Sequence, residues 1–135
     1  MRKVFVFIFL ISTTSLISQE IGHIKNGKYS LTLIQNDQYF ELVYSDLNSK
    51  TEHIQKSFKF LNKEKLYGIL MEGFLKKNDH QVMVWSNKDT VVKFNFKTIR
   101  GEVLVYLNHN NFKKKVRGIS TTFSKKQIVE LFGNP

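Results

Sequence analysis

The stretch TVVKFNFK, residues 90–97, decides the fold class of this chain. Val92, Phe94 and Phe96 share one parity, while Lys93, Asn95 and Lys97 share the opposite parity. This two-residue alternation is typical of a strand that buries one face in a core and exposes the other to water. The sequence therefore predicts an antiparallel sheet, with Phe94 directed into its core.

The same alternation recurs on both sides of residues 90–97, interrupted by short polar breaks. Breaks of about 3–6 residues are typical of hairpin loops. The chain is therefore predicted to be mainly β: an antiparallel up-and-down meander of seven or eight strands, forming either a barrel or a strongly curved sheet. The other predicted strands are GKYSLTLI, QYFELVYS, TEHIQKSFKFL, LYGILMEGFL, QVMVWS, EVLVYL and, as an eighth, KKVRGIST.

Residues 50–76 leave a choice between strand and helix. Phe58 and Phe60 fit a strand, and the two glycines, Gly68 and Gly73, would each cost a helix about 1 kcal/mol relative to alanine. We therefore favour strands in this segment and keep a helix as the alternative. The residues whose helical spacing supports the alternative are Leu66, Ile69, Leu70, Gly73 and Phe74.

A short helix over residues 125–132 is predicted at the C-terminal end, packed outside the sheet. Ser124, followed three residues later by Gln127, has the capping-box arrangement. Gly133 stands at a position where helices commonly stop. A helix this short is marginal on its own, so its apolar side must dock on another element.

The strand EVLVYL is the predicted platform for this helix. Its residues are apolar on both parities, so both of its faces should be covered. We expect one face to join the core and the face of Leu104 and Tyr106 to receive the helix. The helix residues that would dock there are Ile128, Leu131 and Phe132.

Residues 1–18 have the three-part form of a cleaved export signal. A basic start precedes an apolar run over residues 4–11, and small hydroxylated residues follow. This run is shorter than the roughly 20 apolar residues that span a bilayer, so it is predicted to be a signal peptide rather than an anchor. Cleavage after Ser18 would leave a single β-rich domain over residues 19–135. Cleavage after Ser15 is the alternative. We expect that domain in a bacterial periplasm or outside the cell, not spanning a membrane.

The chain contains no cysteine, and this limits its chemistry. An exported domain without disulfides must be held together by packing, and thiolate zinc sites are excluded. The sequence has no nucleophile-elbow, metalloprotease or phosphate-loop motif, and the adjacent Asp79 and His80 fit an exposed loop. We therefore predict a protein that is not an enzyme and has no metal or other cofactor.

The formal net charge of +10 is concentrated near the C-terminal end, in the segment NFKKKVRG and the helix that follows. Basic surfaces attract polyanions. Outside the cytoplasm these are lipid head groups, envelope polysaccharides and acidic proteins rather than nucleic acid. A structural alternative is that lysines on an edge strand block edge-to-edge aggregation. The residues predicted to contact an anionic surface are Lys113, Lys114, Lys115 and Arg117.

The segment GKY, Gly27–Tyr29, resembles the Gly-x-Trp that opens the first strand of lipocalins, with tyrosine in place of tryptophan. The segment FKFLNKEKLYGIL is similar to the strand–turn–strand cadence of small exported lipocalin-like domains. This resemblance to the lipocalin-like (calycin) family implies a meander barrel with a short helix packed outside it.

Two functions are predicted from these features. The first is a small exported binding protein that holds an apolar or amphipathic ligand in a β-barrel, since the chain has twelve Phe and five Tyr. The alternative is an envelope-associated interaction, inhibitor or immunity-type module that binds an acidic envelope component through its basic surface. We expect Trp85 to pack in the core, with ligand stacking as its alternative role. The candidate ligand-binding residues are Trp85, Tyr44 and Phe94.

Overall fold

The computed structural model describes residues 18–49 and 54–133. All but the last residue of the predicted export signal lies outside these ranges, as does the start of the predicted strand TEHIQKSFKFL, so the export signal stays a prediction. The described chain is mainly β. Its elements are β1 (Gln19–Asn26), β2 (Tyr29–Gln35), β3 (Phe40–Ser45), β4 (Gln55–Phe60), α1 (Lys63–Leu75), β5 (His80–Asn87), β6 (Thr90–Ile99), β7 (Glu102–Asn111), β8 (Val116–Ile119), β9 (Phe123–Ser124) and α2 (Lys125–Leu131).

The described strands form two antiparallel sheets, which confirms the predicted meander. The first sheet has the order β1-β2-β3-β4, and the second has the order β5-β6-β7-β8, with β9 also paired to β7. Helix α1 carries the chain from β4 to β5, so these two strands lie near each other as edges of separate sheets. The sequence predicts either a barrel or a strongly curved sheet. The described strands form two open sheets and do not close into one barrel.

The prediction of a strand at LYGILMEGFL is wrong, because these residues belong to helix α1. The Asn62 side chain caps this helix by accepting a hydrogen bond from the backbone N–H of Lys65 (3.0 Å). The apolar stripe of the helix faces the core, and this burial outweighs the cost of its two glycines. The preceding strand β4 forms as predicted. The buried apolar residues of α1 are Leu66, Leu70 and Phe74.

Strand β1 is not among the predicted strands, because its alternation is interrupted. A shift in register against β2 between Glu20 and Gly22 breaks the parity of its apolar residues. The hairpin from β1 to β2 turns at Gly27, whose φ of 65° costs glycine little. At Gly22 the backbone of Leu131 lies so close that a Cβ would overlap it. Strand β1 is therefore where the C-terminal helix approaches the first sheet.

The core between the sheets contains the face predicted from residues 90–97. Val92, Phe94 and Phe96 are each at most 3% exposed. They belong to one cluster with Leu33 of β2 and other buried residues of both sheets. The predicted strand, its register and the inward direction of Phe94 are confirmed.

Helix α2 begins with the predicted capping box. The Ser124 hydroxyl accepts a hydrogen bond from the Gln127 backbone N–H (3.2 Å), and the Gln127 side chain accepts one from the Ser124 N–H (3.0 Å). The helix ends at Leu131, one residue before the predicted end, and Gly133 follows with a φ of 72°.

The predicted docking surface of α2 is wrong. The helix packs mainly on β1, and its apolar residues join the core together with Val105. Leu104 and Tyr106, on the opposite parity, stay half-buried outside this core. The short strand β9 explains the difference, because its pairing with β7 starts the helix at the edge of the sheet. From that edge the helix turns into the core. Its residues buried in this way are Ile128, Leu131 and Phe132.

Candidate binding groove and lysine cleft

A buried polar cluster joins the two sheets beside the candidate site. Tyr44 Oη and His109 Nδ1 are 2.8 Å apart, and both residues are at most 4% exposed. Lys56 Nζ donates hydrogen bonds to Asp46 Oδ2 (2.7 Å) and to the carbonyl of Arg117. These contacts tie β3, β4 and the loop after β3 to β7 and β8, and so position the edge strand β4 against the second sheet.

Burial largely determines the charges in this cluster. It raises the pKa of Tyr44, with a smaller contribution from the Asp46 carboxylate. It lowers the pKa of His109, with a smaller contribution from Lys56. Burial alone would also raise the pKa of Asp46. Hydrogen bonds from Lys56 and from two backbone N–H groups outweigh that effect, so the pKa lies below its ordinary value. The cluster therefore holds two neutral rings and one ion pair near neutral pH.

We expect the protein to lose stability as the pH falls below about 6.5, the ordinary pKa of histidine. The folded state holds the pKa of His109 below that value, so the unfolded chain binds the proton first and acid favours unfolding. The loss ends once the pH has fallen through the folded-state pKa of His109. Asp46 adds a second loss below about pH 4, because its folded-state pKa is also lowered.

Urea unfolding between about pH 5 and pH 8 measures this effect of His109. The substitution His109→Gln should flatten the profile in that range, because it removes the group that takes up the proton on unfolding. A slope that is unchanged in the variant would contradict a buried, neutral imidazole at this position.

Five lysines line a cleft of 690 Å³ beside this cluster, which we call the lysine cleft. Strand β4, the β5–β6 loop and the β7–β8 turn contribute them, and Asp89 is the one carboxylate among its described lining residues. The two loops are held together by a hydrogen bond from the Phe112 N–H to the Asp89 carbonyl (2.8 Å). Within the described chain, only one of the five makes an ion pair, Lys56 with Asp46. The five lysines are Lys56, Lys59, Lys88, Lys113 and Lys114.

An apolar groove of 230 Å³ lies between the end of β4, helix α1 and strands β5 and β6. At its mouth Leu61 is 77% exposed. Polar contributions come from Asn62, Lys65 and Ser86. The apolar side chains of the groove are Phe58, Phe60, Leu61, Leu66, Ile69, Val84, Trp85, Val92 and Phe94.

The apolar groove and the lysine cleft meet at Phe58, which lines both. Each of them also holds a buried hydroxyl that has no hydrogen-bond partner among the described residues. These are Ser86 Oγ in the groove and Thr90 Oγ1 in the cleft. Buried polar groups are normally paired, and these two hydroxyls are exceptions. The two depressions therefore lie next to each other along the edges of β4 and β5.

The interior of the described domain offers much less room. A cavity of about 10 Å³ lies between the sheets and α2, lined by Leu31, Phe94 and Phe132 among others. That volume is at the lower limit for a single water molecule. The aromatic residues counted in the sequence therefore fill this part of the core, and the space for a ligand lies at the surface.

The structure separates the predicted site residues into several places. Phe94 lines the apolar groove from below, whereas Tyr44 is fully buried in the polar cluster. Lys113 and Lys114 reach the lysine cleft. Lys115 takes a left-handed φ of 55° in the adjacent turn.

Trp85 and Arg117 lie together on the outer face of the second sheet. The expectation that Trp85 packs in the core is wrong, since it is 57% exposed. Strand β5 is apolar on both parities, and Val82 and Val84 take the inward one. Trp85 also reaches the rim of the apolar groove.

The sequence analysis did not identify three residues of the lysine cleft: Lys56, Lys59 and Lys88. Each is an isolated cation in an ordinary polar context, separated by at least 25 residues from Lys113. Only the approach of β4 to the hairpin loops of the second sheet brings them together. No local pattern could have identified them.

The described residues contain no group of three or more His, Asp or Glu side chains that could hold a metal ion. Neither described helix has the length and apolar character needed to cross a bilayer. Comparison with protein-family models, with curated proteins and with solved structures finds no significant match to this chain. The similarity to lipocalins stays a prediction.

Proposed function

We propose that this protein is a small exported binding protein for an amphipathic anion. The apolar part of the ligand would occupy the apolar groove, and its carboxylate or phosphate would lie in the lysine cleft. The observation that carries this proposal is the meeting of the two depressions at Phe58. The site is a surface depression between two sheet edges, and takes the place of the barrel interior considered from the sequence.

Charge supports the proposal at one end of the depression. Lys88, Lys113 and Lys114 form no ion pair within the described chain, and they surround a space of 690 Å³. Cations clustered in a cleft raise the local concentration of anions and strengthen their binding.

The size and apolar lining of the apolar groove support the proposal for the other part of the ligand. At 230 Å³ the apolar groove is smaller than the roughly 300–1,000 Å³ of ordinary ligand pockets. It therefore suits one acyl chain or one aromatic group and is too small for a lipid with two chains. Covering Leu61 would remove an exposed apolar side chain from water, which favours binding.

The test compares three probes by calorimetric titration: decanoate, decanol and inorganic phosphate. Decanoate should bind most tightly, because it alone can use both parts of the depression. The double variant K113Q/K114Q should weaken decanoate by about tenfold, or about 1.4 kcal/mol, while leaving decanol unchanged. The variant Leu61→Asn should weaken both decanoate and decanol.

Two matched controls separate the site from general effects. K125Q/K126Q removes the same charge from exposed lysines on α2, and Leu75→Asn alters a leucine that is 73% exposed at the far end of α1. Neither should change binding. Equal losses in K125Q/K126Q and K113Q/K114Q would overturn the proposed cleft, because net charge alone would then account for the affinity.

The alternative function, binding of an acidic segment of another protein, would use the same lysines without the groove. It is favoured if a poly-glutamate peptide binds with dependence on Lys113 and Lys114 while decanoate does not bind. Native mass spectrometry of the gently purified protein adds an independent observation. A bound mass that is lost on denaturation and extracts as a monoacyl anion would support the binding protein.

A further inference from the structure

The outer face of the second sheet carries a second surface, which adjoins the depression described above at Trp85. Residues of one parity on β5 to β8 lie on the side of the sheet opposite the core cluster. Three large apolar side chains on or beside this face are more than half exposed: Met83, Trp85 and Phe112. We call this surface the aromatic face. Clusters of exposed apolar side chains on a soluble domain commonly mark a binding site.

Trp85 and Arg117 lie at the two ends of one row across this face. The register places Trp85 opposite Val91, Val91 opposite Asn110, and Asn110 opposite Arg117. At the spacing of about 4.8 Å between neighbouring strands, this row is about 14 Å long. The ring of Phe112 stands at one end, 6.1 Å from that of Trp85.

Side-chain amides run diagonally across the same face, from Gln81 and Asn95 to Asn108, and of these three Asn108 is nearest to this row. Gln81 donates a hydrogen bond to Asn95 (2.9 Å), and Asn95 donates one to Asn108 (3.1 Å). The amide nitrogen of Asn108 donates to no described residue, and neither does that of Asn110. Each amide nitrogen carries two donors, so both residues offer free hydrogen-bond donors on this face.

The charge of the face is one-sided. The described residues around its central concavity, a space of 610 Å³, include Lys93 and Arg117 and no carboxylate. A ligand that complements this surface is anionic, rich in hydroxyl groups and flat enough to lie on aromatic rings. The negatively polarised faces of Trp85 and Phe112 attract the C–H groups of a sugar ring. The amides suit its hydroxyls, and the cations suit its carboxylates.

We propose that the aromatic face binds an acidic polysaccharide of the uronate type. The row of about 14 Å suits several linked sugars rather than one monosaccharide. A membrane surface also takes aromatic and basic side chains, but the line of amides favours a partner with many hydroxyl groups. This proposal does not rest on the amphipathic anion proposed for the groove, although Trp85 lines both sites.

Trp85 is the one tryptophan of the chain, and it lines both this face and the rim of the apolar groove, so its fluorescence detects binding and the variants below assign the place. We expect an oligogalacturonate to shift the Trp85 emission and to bind less tightly as salt increases. The fully methyl-esterified oligogalacturonate of the same length, which lacks the charge, should bind at least about tenfold more weakly. Equal binding of the two would overturn the proposal.

Substitutions on the aromatic face test whether oligogalacturonate binds there. Arg117→Gln and Phe112→Ala should each weaken oligogalacturonate binding by about tenfold or more. The matched controls are Arg100→Gln, in the β6–β7 turn, and Leu75→Ala, on α1, and neither should change binding. Losses in the controls as large as those in the variants would overturn the site.

Two further outcomes separate this face from its neighbours. Binding should survive both Leu61→Asn and K113Q/K114Q, because these residues belong to the groove and the cleft; its loss there would assign the glycan to the groove. Phosphatidylglycerol vesicles provide the membrane comparison. Binding to vesicles without binding to oligogalacturonate would overturn the polysaccharide and indicate a lipid surface.

Discussion

Replacing Phe132 with alanine should lower the free energy of unfolding by about 3–5 kcal/mol, the usual cost of deleting a buried aromatic ring. Phe132 is fully buried, although it lies only three residues before the last residue of the sequence. Its ring lies 5.3 Å from that of Tyr67 on α1, and its carbonyl accepts a hydrogen bond from Lys63 Nζ (3.1 Å). The residue therefore joins the two helices across the core. Small domains are stable by only about 5–15 kcal/mol, so this loss is a large fraction of the total.

Chemical denaturation of the variant and the original protein measures the difference. Glu130→Ala is the matched control, since Glu130 lies on the exposed side of the same helix and should change stability by less than about 0.5 kcal/mol. A loss below about 1 kcal/mol for Phe132→Ala would show that α2 does not close the core.

Replacing Gly73 with alanine should destabilise the protein by about 2–3 kcal/mol, the upper part of the usual range for overpacking. A Cβ at Gly73 would overlap the ring of Phe96. That ring cannot move aside easily, because it stacks on His80 at 4.8 Å and meets the edge of Phe74 at 5.2 Å. Phe96 is 1% exposed, so the surrounding core would have to shift with it.

Gly68→Ala on the same helix is the control, and its expected effect has the opposite sign. Gly68 is exposed, and no atom lies within 4 Å of the Cβ that alanine would add. Alanine should therefore raise the free energy of unfolding by about 0.5–1 kcal/mol, because it restricts the unfolded chain and favours the helix. Equal effects of the two substitutions would show that α1 does not press on Phe96 as described.

The two glycines of α1, Gly68 and Gly73, also explain why the sequence of residues 50–76 is compatible with both strand and helix. In the sequence both glycines count against a helix. In the structure Gly73 is required by the close packing of α1 on β6, and Gly68 lies on the exposed side. The cost of a glycine can be read from the sequence, but its compensating contact with a ring 23 residues away cannot.

The candidate site was accessible to sequence analysis only in part. Lys113 and Lys114 were identified because they are adjacent, and they do line the cleft. The other lysines come from β4 and from the β5–β6 loop, and the approach of separate sheets groups them. Trp85 was assigned to the core because β5 is apolar on both parities. Nothing local distinguishes the parity that faces the other sheet from the one that faces solvent.

Short-range patterns were sufficient for the mainly β class, for the strand at residues 90–97 and for the capping box of α2, because each depends on neighbours a few residues apart. Tertiary contacts decided the rest: the division into two sheets, the turn of α2 into the core and the grouping of lysines beside an apolar groove. These features depend on which distant surfaces bury the most apolar area together. That free energy belongs to pairs of segments, so no single segment of the sequence specifies it.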